Sequence, residues 1–152
     1  MTRTAAREVA MHFAFELGFT DESAQELLDR MLTPEVFASI AEAEPLYQEF
    51  PSETEEAYIR RLVLGVGEHG YELDLSIEKY AKGWAFERIP RTAAAIMRVA
   101  MFEVLYMPEI PDRVAANEAV NLAKKYEDPD VVRFINGILG TFIRTEREAL
   151  GG

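Results

Sequence analysis

The residues best suited to chemistry lie near the start of the chain and toward its end. The second group places a cation, an aromatic ring and an amide within four positions, at Arg133, Phe134 and Asn136. An exposed ring can stack on a base of single-stranded nucleic acid, a guanidinium can pair with a phosphate, and an amide can both donate to and accept from a base edge. Near the start, Arg3 and Arg7 stand one helical turn apart, where arginines can reach phosphates. These residues favour nucleic-acid binding over catalysis.

Each of these features also has a purely structural explanation. Phe134 lies at the edge of an apolar helical face and can belong to the core instead, and arginines in a first turn can simply be solvated. A second apolar stripe on the first helix, comprising Met11, Phe15 and Phe19, lies roughly opposite the face that contains Phe13. A helix that is apolar on two sides either packs between two layers or presents a docking surface for another protein.

The sequence contains no arrangement typical of a catalytic site. It has no cysteine, which excludes disulfides, thiolate metal sites and a cysteine nucleophile. The two histidines, His12 and His69, belong to distant predicted helices, and neither has a partner at metal-ligand spacing. The glycines at positions 65 and 67 lie inside a helical pattern and lack the rest of a dinucleotide-binding fingerprint. We therefore expect no enzyme activity, no metal and no cofactor.

The net charge of −11 at first argues against nucleic-acid binding, but the acidic residues are unevenly distributed. Residues 20–56 contain 11 acidic side chains and one basic side chain, whereas residues 88–152 contain nine of each. Both ends of the chain can therefore present positive charge. No apolar run approaches the roughly 18 residues of a membrane span, and the start of the chain lacks the features of a signal peptide. These observations predict a cytoplasmic protein without a membrane interaction.

Apolar residues recur with helical spacing along nearly the whole chain, and no segment alternates convincingly as a strand would. The sequence predicts an all-α protein of six to seven helices, organised as a single domain over residues 1–152. A mostly buried helix is expected at about residues 91–107, another at 112–126, and a final helix after Asp128 and Pro129.

Smaller signals predict where helices begin and which faces are buried. Caps are expected at Thr20, Thr33 and Ser52, the last forming a capping box with Glu55.

A further face running from Leu73 to Trp84 is expected to lie in the core. Arg98, on a mostly apolar helix, is expected to pair with a helix carboxylate such as Glu103 or Glu118.

These segments resemble the NusB family of bacterial transcription antitermination factors. The resemblance covers most of the chain and is carried by motifs in a specific order, at residues 4–8, 95–103, 110–111, 114–124 and 133–139. It implies two perpendicular three-helix bundles with a short extra helix. It also implies binding of the boxA element of nascent RNA together with NusE, the small-subunit ribosomal protein S-ten, which tethers the transcript to the elongation complex on ribosomal-RNA operons.

The resemblance also implies which residues take part. The family's RNA-contacting positions correspond to Arg3, Arg7, Asp130, Arg133, Phe134 and Asn136. The aromatic position that faces the ribosomal partner corresponds to Phe15, with Met11 on the same stripe. A homodimer, which some family members form, is left open.

One departure from the family pattern bears on function. Many members begin with three or more consecutive basic residues, whereas this chain has two separated arginines and then the acidic residues 20–56. Fewer phosphate contacts weaken RNA binding and make it less sensitive to salt. Our hypothesis is that the protein binds RNA poorly alone and depends on its ribosomal partner. The alternative is a protein-interaction module of the same fold with little RNA binding of its own.

Overall fold

A computed structural model describes residues 1–151, and every regular element within that range is a helix. The all-α prediction is confirmed, although the described chain is divided into eight α-helices and two short 3₁₀ helices rather than six to seven helices. The helices group into two compact units, of which the first comprises Met1–Glu68 and the second begins at His69.

The first unit is built around three helices that contact one another. It contains α1 (Arg3–Leu17), α2 (Ala24–Met31), α3 (Pro34–Ile40), a 3₁₀ turn (Pro45–Tyr47) and α4 (Glu53–Glu68). Helices α1, α2 and α4 pack together, while the short α3 contacts α2. Gly67 permits the approach of α2 to α4, because a Cβ atom there would lie 2.9 Å from the Cβ of Ala24.

The helix starts of the first unit follow the predicted signals in part. Thr33 caps α3 as expected, its hydroxyl accepting from the backbone amide of Val36. The prediction for Thr20 was wrong, because Ser23 caps α2 in a complete capping box with Glu26. The Thr20 hydroxyl instead accepts from the amide of Glu22, within the turn before α2. A serine that can exchange two hydrogen bonds with a glutamate satisfies more of the first-turn amides than a lone threonine does.

The second unit is arranged around a buried helix. It contains α5 (Gly70–Tyr80), a 3₁₀ turn (Phe86–Arg88), α6 (Arg91–Tyr106), α7 (Asp112–Tyr126) and α8 (Pro129–Gly151). Helix α6 contacts each of the other three helices of this unit, which explains why it is apolar on most sides. Helix α7 has the predicted bounds, and α6 ends one residue before the predicted end.

The prediction that the face from Leu73 to Trp84 lies in the core was wrong for Trp84. Helix α5 ends at Tyr80, and Gly83 adopts a positive φ of 84° in the turn that follows. Leu73 is fully buried, whereas Trp84 lies beyond the turn and is 40% exposed. Periodicity can locate a helical face, but it does not show where the helix stops when no proline interrupts it.

Ion pairs hold the helices of the second unit in place. Arg98 does pair with a helix carboxylate, as expected: its Nε atom donates to Asp74 on α5 at 2.6 Å. Sequence reasoning named Glu103 and Glu118 as examples and did not identify Asp74.

Arg147 on α8 binds Asp112 at the start of α7 and also donates to the carbonyl of Val104 at 3.0 Å. Its hydrogen bond lowers the pKa of the Asp112 carboxyl, because the guanidinium stabilises the ionised form.

Both histidines contact aromatic residues within their own unit. The ring of His12 hydrogen-bonds the hydroxyl of the buried Tyr47 at 2.9 Å. His69 stacks on Tyr106 with ring centroids 4.2 Å apart and lies 3.1 Å from a carboxylate oxygen of Glu72. Within residues 1–151, no cluster of three or more potential ligands is placed to hold a metal ion, and no helix is long and apolar enough to cross a membrane.

Candidate nucleic-acid interface

The first turns of α8 carry the polar part of the predicted site on the protein surface. Arg133 forms an ion pair with Asp130, three residues earlier, and its side chain is 72% exposed. Asn136 is exposed, one residue after the fully buried Ile135. Helix α8 therefore buries its apolar face while presenting a guanidinium and an amide to solvent.

Phe134 lies between the buried and the exposed faces of α8. Its side chain is neither fully buried nor fully exposed, and its ring packs against Trp84 with centroids 4.6 Å apart and planes inclined at 37°. The ring is therefore anchored by packing while part of it remains accessible, and its role in base stacking stays a prediction. Sequence reasoning missed Trp84 because it was assigned to the core face of the preceding helix.

A shallow depression of about 380 Å³ lies beside this group. Its lining residues come from the end of α7 and the start of α8: Lys124, Glu127, Pro129, Val132 and Arg133. Burial raises the pKa of the Glu127 carboxyl, and the neighbouring Asp128 carboxylate adds to that effect. The depression thus combines the cationic side chains of Lys124 and Arg133 with the Glu127 carboxyl.

The start of α1 is organised differently. Thr2 caps the helix by accepting from the amide of Ala5, which makes Arg3 its first residue. The Nε atom of Arg3 donates to Glu55 at 2.6 Å, and its guanidinium carbon lies 4.0 Å from the ring centroid of Tyr58. The Arg3 side chain is 39% exposed, so it is accessible but already paired with residues of α4.

Arg7 follows Arg3 on the same side of α1 and is only 3% exposed. Its guanidinium carbon lies 5.7 Å from the same Tyr58 ring. In this conformation little of Arg7 can meet a phosphate, and its RNA contact stays a prediction. Sequence reasoning missed both neighbours of Arg3, because Glu55 was assigned to the capping box with Ser52 and no pattern pointed to Tyr58.

The apolar stripe on α1 becomes more exposed toward the end of the helix. Met11 is buried, Phe15 is half-buried, and Phe19 is exposed just beyond the helix. The rings of Phe15 and Phe19 lie 4.9 Å apart. The contact of this stripe with a protein partner stays a prediction, and Met11 has almost no surface to offer it.

The structure groups the predicted residues separately within each unit. In the second unit, Asp130, Arg133, Phe134 and Asn136 share the start of one helix. In the first unit, Arg3 and Arg7 share the start of α1, and the Met11–Phe15 stripe occupies its later turns.

The sequence of this chain matches a known protein family along nearly its whole length. The family model described as NusB matches residues 4–144. The transcription antitermination protein NusB of Symbiobacterium thermophilum is 38% identical over 152 residues, which cover 99% of this chain and 95% of the relative. The protein of that name from Acetivibrio thermocellus is 35% identical, over 100% of this chain and 95% of the relative.

A solved structure shows the same fold. The structure of T. maritima NusB matches 95% of this chain and 92% of its own chain, with a TM-score of 0.78 and 23% identity. At that identity the structural match supports the fold alone, while the family model and the relatives above 30% identity identify the family. The chain belongs to the NusB family.

Proposed function

We propose that this protein is a non-catalytic transcription antitermination factor that binds boxA RNA together with the ribosomal protein NusE. It would act in the cytoplasm on the transcription of ribosomal-RNA operons, by holding the nascent transcript near the elongation complex. Family membership and the names of the relatives support the antitermination role. We further propose that both units belong to one RNA-binding domain over residues 1–152.

The observation that carries the proposal is the surface at the start of α8. An exposed guanidinium at Arg133, a partly exposed ring at Phe134 and an exposed amide at Asn136 lie within one turn of the same helix. This combination suits a single-stranded base, which needs a stacking partner, a phosphate contact and a hydrogen-bonding edge. Asp130, which pairs with Arg133, holds that guanidinium at the same surface.

The start of α1 supports the hypothesis that the chain alone binds RNA weakly. Arg3 is paired with Glu55, and Arg7 is buried. Each phosphate contact that is missing removes about 0.7 from the salt slope of single-strand binding. We infer that NusE completes the RNA-binding surface, docking on the apolar stripe through Phe15, with Met11 supporting that stripe from within.

The test is a salt-titrated gel shift with boxA RNA and a scrambled RNA of equal length, each with and without purified NusE. We expect weak binding by the isolated chain and a large gain for boxA alone when NusE is added. Tight binding by the isolated chain would overturn the dependence on the partner. Equal binding of the boxA and scrambled RNAs would overturn boxA recognition.

A protein-interaction module with little RNA binding of its own is the second candidate. The net charge of −11, the pairing of Arg3 with Glu55 and the burial of Arg7 favour it. The variant Phe134→Ala discriminates between the two functions. In an RNA-binding factor it should lower the affinity for RNA and leave the binding of NusE unchanged. In a protein-interaction module the substitution would not change RNA affinity, since the unsubstituted module would itself bind little RNA.

A further inference from the structure

Trp84 is the single tryptophan of the chain, and it lies on the surface beside the α8 site. It follows the left-handed turn at Gly83, and its backbone amide donates to the carbonyl of Ala81 at 3.2 Å. The turn after α5 therefore holds the indole against Phe134, with 40% of the residue left exposed. Exposing so much of a large aromatic side chain forgoes burial that would stabilise the fold.

We propose that Trp84 is a second base-stacking residue and that the α8 site binds two neighbouring bases of single-stranded RNA. The proposal rests on the RNA-binding function proposed above and extends it to a residue that neither the motifs nor the comparisons point to. The ligand class is a single-stranded oligoribonucleotide, and stacking on Trp84 places no demand on base identity.

The ring geometry leads to two bases rather than one. A centroid separation of 4.6 Å puts the indole and the Phe134 ring in direct contact, which leaves no room for a base between them. The inclination of 37° gives the two rings different outward faces, so each can take its own base. The exposed guanidinium of Arg133, next to Phe134 in sequence, is available to the phosphate of the same strand.

The contact also explains how both rings are held. An isolated exposed phenylalanine would lose side-chain freedom on binding a base, whereas one that already packs on an indole has lost part of it beforehand. The same argument applies to Trp84, which depends on Phe134 and on the turn at Gly83 for its position. The aromatic pair is therefore a preorganised surface.

The experiment uses the fluorescence of Trp84, which reports on this site alone because the chain has no other tryptophan. The isolated chain is titrated with unlabelled boxA RNA, up to concentrations high enough to saturate the weak binding expected without NusE, while its emission is recorded. In parallel, the anisotropy of end-labelled boxA RNA measures the affinity of each variant in the presence of NusE. We expect RNA to quench the emission, and Trp84→Ala to weaken binding by about 5- to 100-fold. Trp84→Phe should recover most of that loss, because it keeps an aromatic ring.

The control is Tyr71→Ala, which removes a strongly exposed aromatic side chain from α5 and should leave affinity unchanged. Circular dichroism and thermal unfolding establish that each variant is folded. RNA binding that leaves the emission unchanged and is equal or tighter in Trp84→Ala would overturn the proposal, and would mean that the indole takes no part in RNA binding or shields Phe134 from the RNA. That result would leave the proposed function intact. Absence of RNA binding by the unsubstituted chain with NusE would overturn both.

Discussion

The two arginine-bearing surfaces of this protein use the same side chain in opposite ways. On α1, Arg3 is paired with Glu55 and lies over Tyr58, while Arg7 is nearly inaccessible. On α8, Arg133 extends into solvent and pairs with Asp130, which is also strongly exposed. The number of arginines near each surface therefore says little about the charge that a phosphate would encounter.

The difference follows from the cost of displacing the existing partner. An exposed ion pair contributes at most about 1 kcal/mol, so a phosphate can compete for Arg133 with little penalty. A charge that is largely out of water depends on the groups around it, and moving it leaves those groups without a partner. We infer that α8 supplies RNA affinity, while Arg7 on α1 mainly stabilises the first unit.

The largest expected effect is on stability, at Arg7. Arg7→Ala should lower the free energy of unfolding by about 3 kcal/mol, because it removes a buried guanidinium and the packing of its stem. Urea denaturation followed by circular dichroism measures the change. Arg133→Ala is the matched control and should stay within about 0.5 kcal/mol. If Arg7→Ala keeps full stability and abolishes RNA binding, the inference that Arg7 mainly stabilises the first unit is wrong.

The next effect is on affinity, at Phe134. Phe134→Ala should weaken boxA binding in the presence of NusE by about 1–3 kcal/mol, since it removes a stacking ring. Phe134→Tyr keeps the ring and should retain most of the affinity. Anisotropy of labelled RNA measures both variants, and co-purification with NusE checks that the partner surface is intact. If Phe134→Ala leaves the affinity unchanged, the RNA does not stack on Phe134 and the proposed contact with α8 is wrong.

The fold was predictable where one local signal dominated. The bounds of α7 follow from the proline before it and the Asp128–Pro129 pair after it, and the apolar composition of α6 required burial on several sides. Thr33 followed by proline marked the start of α3.

The candidate site was predictable as a set of residues but not in its contacts. Phe134 was identified by its neighbours in sequence, whereas its contact with Trp84 joins residues 50 positions apart and depends on the turn at Gly83. The pairing of Arg3 with Glu55 likewise joins α1 to α4. The spacing of residues along one helix predicts which of them share a face, but it does not predict which residues of other elements that face contacts.

A smaller effect should appear in the dependence of binding on salt. Arg133→Ala should reduce the slope of log affinity against log salt by about 0.7, the contribution of one phosphate contact to a single strand. Arg3→Ala should change the slope by less, because Glu55 already offsets the charge of Arg3. Anisotropy titrations over a range of salt concentrations measure both slopes. A larger change for Arg3→Ala would reverse the roles that we assign to the two surfaces.

The smallest expected effect on affinity comes from neutralising Glu55, whose carboxylate competes with RNA phosphate for Arg3. Glu55→Gln should raise boxA affinity by a factor of about three at low salt, because the amide no longer offsets the guanidinium charge. Glu53→Gln, an exposed position in the same first turn of α4, makes the same change in net charge and serves as the control. Equal gains in the two variants would indicate a general charge effect rather than release of Arg3. A gain confined to Glu55→Gln would show that the arginine at the start of α1 can contact RNA and that its carboxylate partner limits that contact.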